Sequence, residues 1–290
     1  MELLLVRHLW GVDLLGGYRR HIRHWHDVGY SVLEGSPRFV PDPKLLRSVL
    51  RDEGFAWIPQ IFSHMQLGGG TVQQHIASLR PQIEECLDAD PLFLNGQTGS
   101  DHWTLDEAAE FFSMVCEMED EFGIRICHET HRSRYLGSPW NAARLLERVP
   151  QLKLTCDFSH WVCVAERLLE DAHDAFELAA HHGHHLHARV GYEQGPQVPD
   201  PRDPAWASHL SAHERWWEMI WTATAARGEN TVTLTPEFGP PPYLHTLPFS
   251  GVPVSDLEEI CDWMANRQQQ HFKSWSANRR ERQPCQENFE

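Results

Sequence analysis

The chain has 290 residues, 41% of them hydrophobic, and no stretch approaches the roughly 18 uninterrupted apolar residues of a membrane span, so a soluble protein with a sizeable core is expected. With 25 Lys and Arg against 41 Asp and Glu the formal charge is −16, which disfavours nucleic acid, because phosphate backbones are bound mainly by cations that displace counterions. Seven cysteines without a C-x-x-C pair suggest neither a disulfide framework nor a thiolate zinc site, and a reducing cytoplasm is the expected setting.

The opening MELLLVRHLW is too short an apolar run, with neither a basic leader nor a small-residue cleavage site, to be an export signal, and it reads as a first strand over 2–7. His21, His24 and His26 follow on a helical segment and read as its solvated face. Further apolar runs bounded by turn residues predict strands over 29–34, 56–61, 91–95, 124–129, 152–157, 184–189 and 231–236. Between them lie segments with helical spacing, such as Leu105, Ala108, Phe112, Val115 and Met118, or Val164, Leu168, Ala172, Ala175 and Leu178. Thr104-Leu-Asp-Glu107 and Ser255-Asp-Leu-Glu258 have the form of capping boxes and mark helix starts.

Gly68-Gly-Gly70 reads as a flexible loop or helix start, and no phosphate-cradling P-loop occurs. Proline and glycine punctuate several strand exits, at Gly35-Ser-Pro37, Gly137-Ser-Pro139 and Gly239-Pro-Pro-Pro242. Eight strand-then-helix units predict one α/β domain over 1–272, a (β/α)8 TIM barrel, with its long loops on the exit side where such barrels build their sites. Residues 273–290 are polar and without periodicity and read as a C-terminal tail.

Four of the predicted strands end in side chains suited to a metal: IRICHE in Glu129, LKLTCD in Asp157, HHLHAR around His187 and TVTLTPE in Glu237, spaced 28, 30 and 50 residues apart. Strand tips of a barrel converge on one mouth, so these side chains are expected to meet. Three carboxylates would repel one another without a cation. An oxygen-rich set with one imidazole suits a single divalent ion, with Mn²⁺ the first choice and Mg²⁺, Co²⁺ or Zn²⁺ the alternatives. His185 and Arg189 share the strand face of His187 and are candidates for the substrate side of the site. Arg189 would hold a substrate oxygen or a developing oxyanion through its fork, with His185 just behind the ligands. Only Lys44, Lys153 and Lys273 occur, on a helix, at the start of a strand and in the tail, which disfavours a Schiff-base aldolase.

Among the twelve tryptophans, Trp216, Trp217, Trp221 and Trp263 lie in helical segments and read as packing. Trp10, Trp103 and Trp161 follow strands on the mouth side, where an indole can wall a sugar or simply pack. Glu34, Asn95, Gln97 and Asp101 near the same rim are lesser candidates for binding hydroxyls, and Arg132 and Arg134 are mouth-side cations.

In His128-Glu129, Cys156-Asp-Phe-Ser-His160, His185-Leu-His-Ala-Arg189 and Pro236-Glu237 the chain resembles the sugar-phosphate isomerase/epimerase superfamily, the xylose-isomerase-like barrels that include ketose 3-epimerases, hydroxypyruvate isomerases and inosose dehydratases. The likeness covers most of residues 1–270. It implies that Glu129, Asp157, His187 and Glu237 bind one divalent ion, that Glu129 and Glu237 act as paired acid and base, and that His160 contacts substrate. Arg189 departs from the epimerase pattern, in which an arginine comes several residues later behind a glutamate.

The implied activity is isomerisation or epimerisation of a sugar or related polyhydroxy carbonyl compound through a metal-stabilised enediolate. The alternative is a lyase or dehydratase expelling a β-substituent from the same enolate. A DNA-repair endonuclease is opposed by the charge, and an inactive scaffold by the intact ligand set. The expected partner is a small carbohydrate-like molecule, with neither nucleic acid nor membrane involved, and the resemblance suggests a homodimer or homotetramer.

Overall fold

The structure, a computed structural model, describes residues 1–14, 17–40, 42–63 and 69–282. Eight parallel strands close into a barrel in chain order: β1 (Glu2–His8), β2 (Tyr30–Gly35), β3 (Ala56–Phe62), β4 (Leu94–Gln97), β5 (Ile126–Glu129), β6 (Lys153–Cys156), β7 (Gly183–His187) and β8 (Thr231–Thr235). The surrounding helices are α1 (Arg19–Val28), α2 (Pro43–Glu53), α3 (Val72–Leu87), α4 (Leu105–Phe122), α5 (Pro139–Arg148), α6 (Ser159–Ala165), α7 (His173–His182), α8 (Ala207–Ala226) and α9 (Leu257–Arg282). No helix among the described residues is long and apolar enough to cross a membrane.

Strand alternation sorts the side chains into two cores. Leu5, Leu33, Trp57, Leu94, Ile126, Leu154, Leu186 and Leu234 point outward and join the helices in one large apolar cluster. On the opposite face Val6, Val32, Ile58, Phe93 and Cys127 form a separate small cluster inside the barrel. Two residues further along each strand, on the same inner face, stand His8, Glu34, Gln60, Asn95 and Glu129, all buried. The lumen is therefore apolar at its floor and polar toward the strand tips. The register brings His8 opposite Glu34 and Gln60 opposite Asn95.

Thr104 and Glu107 form the expected reciprocal capping box at α4, and Thr71 with Gln74 forms another at α3. Ser255 does not cap α9: its hydroxyl donates to Asp200 at 2.9 Å, and the Asp256 carboxylate instead accepts from the Glu259 N–H at 3.0 Å. The helix expected through Val164 and Leu178 is broken, because Glu166 adopts a left-handed φ of 52° after α6 and α7 restarts at His173. A tail from residue 273 is also corrected, since α9 continues to Arg282 with Phe272 and Trp275 set against Trp221 at ring-centroid distances of 5.2 and 5.7 Å. Residues 283–290, with Cys285, and Gly68 of the glycine run lie outside the described residues. The six described cysteines are free.

Candidate metal centre

Glu129 closes β5, Asp157 follows β6 directly, His187 closes β7 and Glu237 lies two residues past β8. The structure brings all four together: one potential ligand atom from each lies within 4.8 Å of the others, and all four side chains are buried. His187 Nδ1 stands 2.8 Å from Glu237 Oε2 and 3.8 Å from Glu129 Oε1. Both Glu129 oxygens, Glu237 Oε2 and His187 Nδ1 lack a properly formed hydrogen bond. Orphaned buried acceptors are costly. Four of them converging from three strand tips fit a cation, and three carboxylates with one imidazole fit a hard or borderline divalent ion.

The other side of His187 explains which nitrogen faces this cluster. Its Nε2 is 3.0 Å from Glu34 Oε1, so Nε2–H donates and the Nδ1 lone pair is left for an ion. Glu34 also accepts from Asn95 at 2.7 Å and from the Thr235 hydroxyl at 2.6 Å. Burial works against its charge, but His187 and His185 outweigh this and hold the Glu34 carboxyl well below the usual range. Glu34 and Asn95 are therefore committed beneath the centre and are not rim residues that bind hydroxyls. His185 is corrected likewise: it is buried between Thr233, at 2.7 Å, and Glu34, at 3.3 Å, and does not face substrate.

Arg189 supplies a fixed positive charge. Its Nη2 pairs with Asp157 Oδ2, lies 3.1 Å from Glu237 Oε2 and donates to His160 Nε2 at 2.8 Å. Ser159 holds the other Asp157 oxygen through its N–H and hydroxyl. Burial, reinforced by Glu237 and Glu129 and opposed by Arg189, pushes the Asp157 carboxyl up to about 6. His160 is kept neutral by burial and by the neighbouring His131 and Arg189. With Nε2 accepting from Arg189, its proton lies on Nδ1.

A cavity of about 640 Å³ opens onto these groups, with Glu237, Arg189, His8, Gln60, Gln97 and His131 at its inner end. Trp10 lines it, packed edge-on to Tyr243 at 5.0 Å. Trp103 and Trp161 do not line it. The Trp103 indole donates to the Gly70 carbonyl at 2.9 Å, and Trp161, wholly buried in α6, donates to the Leu136 carbonyl at 2.8 Å. Asp101 is exposed and outside the lining, Arg134 turns to Gln97 at 3.3 Å, and Arg132 stacks on Tyr243 at 5.2 Å. Sequence reasoning missed His8, Gln60, His131 and Tyr243. For His8 a signal existed, because it ends β1 on the same inner face as Val6, and its Nε2 lies 3.5 Å from Glu237 Oε1.

The family described as a xylose isomerase-like TIM barrel matches residues 22–206, more than half of the chain. Solved structures share the architecture at low identity. A xylose isomerase-like TIM barrel protein from Mycobacterium smegmatis in complex with magnesium is 14% identical, with 94% of this chain and 97% of that one covered and a TM-score of 0.62. An L-ribulose 3-epimerase is 15% identical, with 97% of each chain covered and a TM-score of 0.59. The probable 3-DHS dehydratase AsbF of Bacillus anthracis is 13% identical, with 91% and 97% covered and a TM-score of 0.58. Among curated proteins, none matches the chain at a meaningful level.

Proposed function

The chain belongs to the xylose isomerase-like TIM barrel family, and from that premise we propose that it is a divalent-metal-dependent isomerase or epimerase of a sugar or related polyhydroxy carbonyl compound. The observation that carries this reading is the buried quartet Glu129, Asp157, His187 and Glu237, with unsatisfied acceptors turned toward one point beside a substrate-sized cavity. These residues would hold one ion, Mn²⁺ by preference, which supplies Lewis-acid polarisation of a carbonyl oxygen.

The chain's own groups would carry the protons. One of Glu129 and Glu237 removes the proton from the carbon next to the carbonyl, leaving an enediolate, and the other returns a proton from the opposite face. Arg189, 3.1 Å from Glu237, offsets negative charge as it develops on the substrate oxygen. His160 accepts from Arg189 and keeps the guanidinium turned toward the carboxylates. Trp10 and Tyr243 wall the cavity and limit water.

The same enolate could instead expel a β-substituent, and the likeness to a probable dehydratase keeps that second reading in view. Incubating Mn²⁺-loaded protein with candidate ketoses in D₂O separates the two. Deuterium at the carbon beside the carbonyl of an intact sugar supports proton return. An unsaturated or dicarbonyl product supports elimination, and neither outcome across a broad panel of ketoses and other hydroxy-carbonyl compounds, apolar-substituted ones included, counts against both.

A further inference from the structure

We infer that the substrate is amphipathic, a hydroxy-carbonyl head joined to an apolar group, with the head at the carboxylate cluster and the apolar group in a pocket formed by the β1–α1 and β2–α2 loops. This rests on the proposed function for the head and on the composition of the cavity for the rest. One end of the cavity is polar, as described above. The lining supplied by the two loops is largely apolar, with Leu9, Trp10, Val12, Leu14 and Val40.

Among the described residues, the carboxyl and hydroxyl side chains of that wing, Asp13 and Ser36, each have a partner. Asp13 pairs with Arg20 at 2.6 Å, and the Ser36 hydroxyl accepts from the Arg38 N–H at 3.3 Å. A free sugar, with hydroxyls on every carbon, would lose water against this wall without regaining hydrogen bonds. A phosphorylated end is equally unsuited. Arg189 is the sole Arg or Lys among the described lining residues, and it is held by Asp157 and Glu237. The volume of about 640 Å³ falls in the range of roughly 300–1,000 Å³ that buries ligands larger than a small sugar.

The wall is also pinned in place. The Leu9 N–H donates to the Glu34 carbonyl and the Trp10 N–H to His8 Nδ1, each at 2.8 Å. Gly239, just past Glu237, leaves the space in which the Trp10 indole rests, where any Cβ would overlap the ring. A Cβ at Gly35 would crowd Leu9 more mildly, coming within 3.3 Å of its Cβ. The apolar wing and the metal ligand Glu237 are thus tied to one another by close packing.

Hydroxamates, which chelate a divalent ion through two oxygens, provide probes matched at the head. Titration calorimetry of Mn²⁺-loaded protein would compare acetohydroxamate with phenylacetohydroxamate, in wild type and in the Val40→Asp and Trp10→Ala variants. We expect phenylacetohydroxamate to bind wild type at least about tenfold more tightly, and this ratio to fall toward one in both variants. Equal affinities in wild type would overturn the inference while leaving the metal-site reading standing, and so would a preference undiminished in both variants. Failure of both compounds to bind in a metal-dependent way would overturn the proposed function and this inference with it.

Discussion

Glu34 decides which nitrogen of His187 faces the centre, by accepting the hydrogen bond of Nε2–H at 3.0 Å. Glu34→Gln should weaken Mn²⁺ binding by about 10–100-fold with the barrel still folded, as calorimetry and circular dichroism would register; unchanged affinity would remove the positioning role. Glu129→Gln and Glu237→Gln should each abolish turnover and deuterium uptake while leaving the fold intact, and full activity in either would end the two-base scheme. At this scale the convergence of Glu129, Asp157, His187 and Glu237 was legible. Metal-grade side chains at successive strand ends have a shared direction, so their meeting follows from alternation and barrel geometry. His8 obeys the same rule on β1 and was overlooked because an imidazole near a chain start carries no signal by itself. Trp103 and Trp161 could not be sorted from sequence, since an indole past a strand tip turns inward or outward according to which carbonyl its N–H finds, Gly70 and Leu136 here.

Elements were legible where a local pattern closes on itself. The Thr104–Glu107 box contains both of its partners, so α4 starts where expected, and Thr104→Ala should cost about 1 kcal/mol in urea unfolding. Ser255 and Asp256 are adjacent and equally able caps, and long-range contact with Asp200 draws the serine away. Asp256→Ala should therefore destabilise more than Ser255→Ala, and the reverse order would reassign the cap. The α9 extension escaped notice because its polar exterior hides the few apolar anchors, Phe272 and Trp275, that meet Trp221. The break between α6 and α7 depends on a left-handed Glu166, a conformation that residue type does not announce. The apolar wing of the cavity is assembled from two loops, which strand and helix periodicities do not describe.

For the molecule as a whole, closure of the barrel in chain order follows from eight repeats of one unit, and its buried imidazoles make stability depend on pH. Burial pushes His128 down to about 3, with Lys153 adding to it, and pushes His213 down to about 4. Between about pH 4 and the ordinary value of 6.5 the unfolded chain binds protons that these folded imidazoles refuse, so their contribution is present above 6.5 and lost as pH falls. His131 and His184, each pushed down to about 4 by burial, add to this. Asp157, raised from 3.8 to about 6, acts oppositely over nearly the same interval, and His187, held against burial well above the ordinary imidazole value by Glu237 and Glu34, acts oppositely above 6.5. The urea midpoint of metal-free protein should accordingly be higher at pH 7 than at pH 5, and equal midpoints would contradict that balance. The central claim is that Glu129, Asp157, His187 and Glu237 bind one divalent ion. Crystals grown with Mn²⁺ and measured at its absorption edge should show one strong anomalous peak within about 2.0–2.6 Å of an atom from each of the four side chains. No peak there, or a peak held by other residues, would contradict the account.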